Sequence, residues 1–211
     1  MAQKIIQESG STSTALRIVP ANEISGTELD LVFGSKGTPW DCQCQWFQNP
    51  GKSFDALSVQ ERADALHAQT QCGIPEAKTT SGLIAFLGDE PVGWCAVEPR
   101  TAYPRLHTSR IVHGGRDEDK DDESVWAAVC FVTRAGHRRR GISRALAAAC
   151  VDFARSRGAL ALEGYPLQLA PNKAPMWGEL FVGSYSIFAD AGFREVSHPT
   201  PRRFVMRIDF E

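Results

Sequence analysis

The chain has 211 residues, 43% of them hydrophobic and 23% charged, an ordinary globular balance with enough apolar material for a real core. A formal net charge of −2 excludes a general polyanion binder, so any basic feature must be local. No apolar run approaches the ~20 residues a membrane helix needs, and the N-terminus lacks the apolar core of a signal peptide.

Residues 1–14 read as a frayed or disordered N-terminus, and "ALRIVP" (15–20) as a first strand, opening a domain that runs to 211. "GTPWDCQCQWFQNPGKSF" (37–54) reads as a long aromatic-rich loop. Cys42-x-Cys44 within it is too tight for a zinc knuckle and has no second pair, so no metal is expected. Ser58 and Glu61 have capping-box spacing, which predicts a helix over 58–72 with Val59, Ala63, Leu66 and Thr70 on one face. Two β-rich runs, 82–87 and 92–98, flank Gly88-Asp89-Glu90-Pro91 and predict a hairpin. A short helix or loop (100–110) and an acidic loop (114–124) follow. "VWAAVCFVT" (125–133) is continuously apolar, as in a central strand buried on both faces.

Ile142, Ala145, Leu146, Ala149, Cys150 and Phe153 form a helical stripe that ends at Gly158. "LALEGYP" (160–166) reads as a strand, "SYSIFADAG" (184–192) as a short helix, and 193–196 and 203–210 as the last strands. Strands alternate with helices yet also pair as hairpins, which predicts a mixed α/β sheet in one domain. Six cysteines, scattered through strand-like and helical runs, suit reduced thiols in a cytoplasmic protein.

The stretch "HRRRGIS" (137–143) lies between the central strand and the helix that follows. A helix N-terminus offers unpaired N–H groups and the positive end of a dipole, and Gly141 permits close approach of an anion. Arg138, Arg139 and Arg140 add charge. A phosphate cradle and a solvated basic turn both fit that charge run.

Arg138-x-x-Gly141-x-Ser143 resembles the Arg/Gln-x-x-Gly-x-Gly/Ala signature of the GNAT superfamily of acyl-CoA-dependent N-acetyltransferases, and "ADAGF" ending at Phe193 resembles its second hallmark. The resemblance covers about residues 80–210 and implies a single-domain GNAT-like fold. It implies acetyl-CoA as cosubstrate and transfer of an acetyl group to a primary amine of a small molecule or peptide. It implies that Phe131, Thr133, Arg138, Arg139, Arg140, Gly141, Ile142 and Ser143 hold the cofactor. Homodimers are common in the superfamily; neither a nucleic-acid partner nor a membrane is expected.

Two departures stand out. Ser143 replaces the signature's final Gly or Ala, and Phe188 stands where the family often carries a proton-donating tyrosine. Tyr185 or Ser184 would then supply the proton, although a packed ring explains Tyr185 as well. Phe188 also keeps open a non-catalytic acyl-CoA sensor. For the base, Glu163, in an otherwise apolar strand, is the leading candidate beside Glu98 and Asp121-Asp122-Glu123. Glu98 ends its strand and reads as solvent-facing. The acidic loop reads as a solvated excursion, or as a funnel for a cationic amine. Trp40, Trp46 and Phe47 would line the acceptor pocket or pack in the core.

Overall fold

A computed structural model describes residues 15–168 and 179–211. The frayed N-terminus expected over 1–14 lies outside the described residues. Seven strands form one sheet in the order β1 (Leu16–Pro20), β2 (Gly82–Leu87), β3 (Glu90–Pro99), β4 (Val125–Thr133), β5 (Ala161–Gly164), β7 (Arg203–Asp209), β6 (Arg194–Thr200). All neighbours are antiparallel except β4 and β5. Eight helices complete the described chain: α1 (Gly26–Phe33), α2 (Thr38–Cys42), α3 (Lys52–Ala56), α4 (Val59–Thr70), α5 (Pro104–His107), α6 (Arg110–His113), α7 (Ile142–Ser156) and α8 (Tyr185–Asp190).

Strand periodicity sorts the core into two layers. Ile84, Phe86, Trp94 and Ala96 pack toward α1 and α4, whereas Leu83, Ala85, Cys95 and Val97 pack toward α7 and α8. In β4 the alternation slips. Ala96 pairs with Cys130 and Val97 with Ala128, so Val129 is a bulged extra residue, and Val129 and Cys130 both join the α1 layer. Pairing of β4 with β5 stops at Ala128 opposite Gly164, so the two parallel strands part beyond that point.

The α4 helix is capped as its sequence predicts: Ser58 Oγ accepts from the Glu61 N–H while Glu61 takes the Ser58 N–H at 2.7 Å. Ser25 and Glu28 build the same box at the start of α1, a helix whose sequence carried that signal unread. The stretch expected to be a long loop, 37–54, contains α2 and the start of α3, both one-turn helices. All six cysteines are free thiols.

Candidate active site

Where β4 and β5 part, a cleft of ≈ 1400 Å³ opens. Cys130, Phe131, Val132 and Thr133 all line it. Four consecutive residues on one wall mean that the backbone edge of β4, rather than one side-chain face, looks into the cleft. Past Ala128 that edge has no β5 partner among the described residues, so alternate N–H groups there can meet a ligand.

The cleft reaches the start of α7. Gly141 is its N-cap, left-handed at φ 78°, and no side chain caps the terminus. Without a cap or an acidic residue in the first turn, the N–H groups at the head of this 15-residue helix keep their affinity for anions. Arg139 is also left-handed, at φ 63°. The helix sits close to the sheet because Gly93 has no side chain: a Cβ there would meet Ile142 Cγ2 at 2.6 Å. The Thr133 and Ser143 hydroxyls are 3.1 Å apart and tie the end of β4 to the first turn of α7.

Five of the eight residues assigned to the cofactor line this cleft: Phe131, Thr133, Arg138, Arg139 and Ser143. Arg140 and Gly141 are exposed beside it, and Ile142 is a core residue packed beneath it. The nearby Arg134 is held by Glu90 at 2.7 Å.

Phe188 is fully buried and wedges into the fork between the strands. Its ring stands edge-on to Phe131 at 5.6 Å and to Phe193 at 5.1 Å. Gly164 exists for this ring, since a Cβ there would lie 2.1 Å from Phe188 Cε1. Tyr185 is half-buried, stacks edge-on against Phe204 at 5.0 Å and does not line the cleft, as its packed-ring reading anticipates. Ser184 does line it, with its hydroxyl 3.1 Å from that of Ser186.

The two glutamates have opposite surroundings. Glu163 has no exposed surface and is gripped by Arg116, by Arg100 at 3.2 Å and by Arg207 at 3.1 Å, with the Tyr165 hydroxyl donating at 2.8 Å. Burial pushes its carboxyl up, but Arg116, Arg100 and Tyr165 outweigh burial and hold it below the usual carboxylate range. It does not line the cleft. This corrects the leading sequence-based assignment of the base: a carboxylate locked to three guanidiniums is a poor proton acceptor. Glu118 of the acidic loop joins the same cluster through Arg100, Arg116 and Arg207; most of the loop's other residues are exposed, and none of 114–124 lines the cleft.

Glu98 also differs from its sequence reading. It is largely buried rather than solvent-facing and accepts from Gln48 Nε2 at 3.2 Å, and burial pushes it up to about 7. It lines a small cavity of ≈ 10 Å³ with Cys44, Gln48, Gln69, Ser81 and Tyr103. The buried hydroxyls of Ser81 and Tyr103 find no hydrogen-bond partner among the described residues. The Tyr103 hydroxyl stands near Glu98 without hydrogen-bond geometry. That is the setting of a single bound water: room for about one molecule and several polar partners. Cys44 borders both this cavity and the cleft.

Cys42, Cys44 and Cys130 line the cleft. Burial and the neighbouring Cys44 push Cys42 up to about 11, while Cys44 and burial raise Cys130 well above the ordinary thiol value. Protonated thiols of this kind are weak nucleophiles. Among the described residues, no group of three or more His, Cys, Asp or Glu side chains is placed to hold a metal. No helix among them is long and apolar enough to cross a membrane.

The model of the acetyltransferase (GNAT) family matches residues 44–170, more than half of the chain. The chain belongs to the GNAT acetyltransferase family. Solved structures agree in fold. A GCN5-related N-acetyltransferase from Kribbella flavida superposes with a TM-score of 0.53 at 16% identity, over 93% of this chain and 98% of that one. The protein yncA from Salmonella typhimurium, solved with its cofactor acetyl-CoA, gives 0.52 at 12% identity, over 93% and 95%. The GNAT domain of PAT from S. lividans gives 0.50 at 18%, over 92% and 90%. No curated protein sequence matches the chain. In this GNAT protein the forked strands, the uncapped helix and the arginine loop lie in one cleft. Sequence reasoning missed the opposite wall of that cleft: Asp30, Leu31 and Phe33 of α1, Phe181 and Arg203.

Proposed function

We propose that the protein transfers an acetyl group from acetyl-CoA directly to a primary amine. The observation that carries this reading is the junction of the parted β4 edge with the uncapped head of α7 in one cleft, in a chain of the GNAT family. Bound acetyl-CoA would supply the acetyl group as an activated thioester. The first N–H groups of α7, with Arg138 and Arg139, would hold its diphosphate. The free N–H groups along 129–133, with Phe131 and Thr133 at the positions carried over from the family, would donate to the oxygen that gains charge during transfer. Each such donor is worth ~3–4 kcal/mol of barrier.

The amine must lose a proton before it can attack, and a free alkylammonium titrates near ~10.4. Glu98 would take that proton through the small cavity that shares Cys44 with the cleft. A proton acceptor near neutrality suits work at pH 7 better than a locked carboxylate does. Ser184 would donate a hydrogen bond to the departing sulfur, in place of the hydroxyl that Phe188 lacks.

A thermal-shift titration tests the cofactor half. Acetyl-CoA and CoA should stabilise the protein and ATP should not, and Arg138→Ala or Gly141→Asp should remove the effect. Unchanged affinity in both variants would overturn the site. Phe188, an apolar ring wedged at the fork, favours one rival reading, an acyl-CoA sensor without turnover. Steady-state thiol release separates the two, because a sensor binds CoA without consuming the thioester.

A further inference from the structure

Part of the cleft lining is an aromatic wall. Trp46 and Phe54 stand edge to face at 5.4 Å, and Phe47 and Phe181 tilt together at 5.9 Å. All four line the cleft, with Leu31 beside them. Leu31 and Trp46 are 43% and 39% exposed, so both present apolar surface to the cleft.

Two guanidiniums hold the wall's rings in place. The Arg105 guanidinium lies 3.7 Å from the Trp46 ring centre while bonding the Trp46 carbonyl at 2.6 Å. The Arg62 guanidinium lies 4.0 Å from the Phe54 ring centre and bonds the Phe54 carbonyl at 2.7 Å. Rings held this way lose little freedom when a ligand arrives, which favours binding.

Charge narrows the choice of ligand. The same side carries two carboxylates, Asp30 and Asp41, against Lys36 and Arg62. Asp30 is already bound to His67 at 2.7 Å. None of the acidic loop's carboxylates lines the cleft, and Glu118 is held by three arginines. These paired charges leave no surplus of negative charge to hold a polycation.

We infer that the acceptor is a monoamine carried on an apolar, ring-bearing body that lies against Trp46, Phe54 and Leu31. This rests on the acetyl-transfer reading above. The ring body would bury apolar surface on the wall and place its amine toward Cys130, at the edge of β4. Asp41 is the carboxylate left for the incoming ammonium. In the reaction the amine nitrogen bonds to the acetyl carbon, the carbon–sulfur bond breaks, CoA leaves as the thiol, and one proton is released.

The test is thiol release at saturating acetyl-CoA with four amines: 1-naphthylmethylamine, 2-phenylethylamine, spermidine and glucosamine. The two ring-bearing amines should exceed the others in kcat/KM by at least ~10-fold. Trp46→Ala should remove that margin while leaving the Kd for acetyl-CoA within about twofold, as a role confined to the acceptor requires. Leu31→Glu, at an exposed position whose change spares the fold, should raise KM for the ring-bearing amines alone. Preference for spermidine or glucosamine overturns the inference, as do equal losses for all four amines. Acetyl-CoA binding without turnover of a ring-bearing amine overturns it too. So does preference for octanoyl-CoA over acetyl-CoA, which would assign the wall to the donor's chain. Failure to bind acetyl-CoA at all would instead sink the acetyl-transfer reading beneath it.

Discussion

Replacing Glu98 by glutamine should make the protein more stable and less active at pH 8. The carboxyl titrates at about 7 when folded, against an ordinary 4.5, because burial disfavours its charge. The folded state therefore holds this proton over a window where the unfolded chain has released it. For a carboxyl raised in this way, stability is greatest below the unfolded value and falls as pH climbs from about 4.5 through about 7. At 1.36 kcal/mol per unit the full penalty at pH 8 is about 3 kcal/mol, and partial access to solvent brings it to ~1–3. Glutamine keeps the shape and the contact with Gln48 and carries no charge. Glu98→Gln should thus raise the melting temperature at pH 8 by ~2–10 °C and have little effect at pH 5. Its kcat/KM should drop ~10²–10⁴-fold and lose the acidic limb near neutrality. Scanning calorimetry from pH 5 to 8.5 and thiol-release kinetics over the same range measure both. A variant less stable than wild type at pH 8, or an unchanged acidic limb, would refute the reasoning.

Glu163→Gln should do the reverse. It leaves Arg100 and Arg116 buried against a neutral amide, which should cost ~3–5 kcal/mol, read as a large drop in melting temperature. Because its carboxyl is held low, its contribution is present above the ordinary value of 4.5 and fades as pH falls through the depressed folded value, so wild type and variant should converge in acid. Gly141→Asp places a carboxylate at the left-handed cap of α7, and the Kd for acetyl-CoA, measured by calorimetry, should rise at least ~10-fold. Gly164→Ala drives a methyl into the Phe188 ring and should cost ~1–3 kcal/mol in chemical denaturation, weakening acetyl-CoA binding by closing the fork.

Local pattern determined much of this protein. The capping box at Ser58, the hairpin about residues 88–91, the apolar run of β4 and the stripe of α7 each carry their structure in a few neighbouring residues, and each formed where expected. The junction of strand, arginine-glycine loop and helix head was legible for the same reason, since the three are contiguous in the chain. Tertiary structure alone decided what surrounds each charge. Glu98 and Glu163 both sit in apolar strands. One meets three arginines brought from residues 100, 116 and 207, and the other meets only Gln48 and unpaired hydroxyls. Of the aromatic wall, Trp46 and Phe47 were legible as pocket or core aromatics, whereas Phe181, far along the chain, meets Phe47 only in the fold. Ionisation depends on neighbours within a few ångströms, and only the folded chain brings those neighbours together.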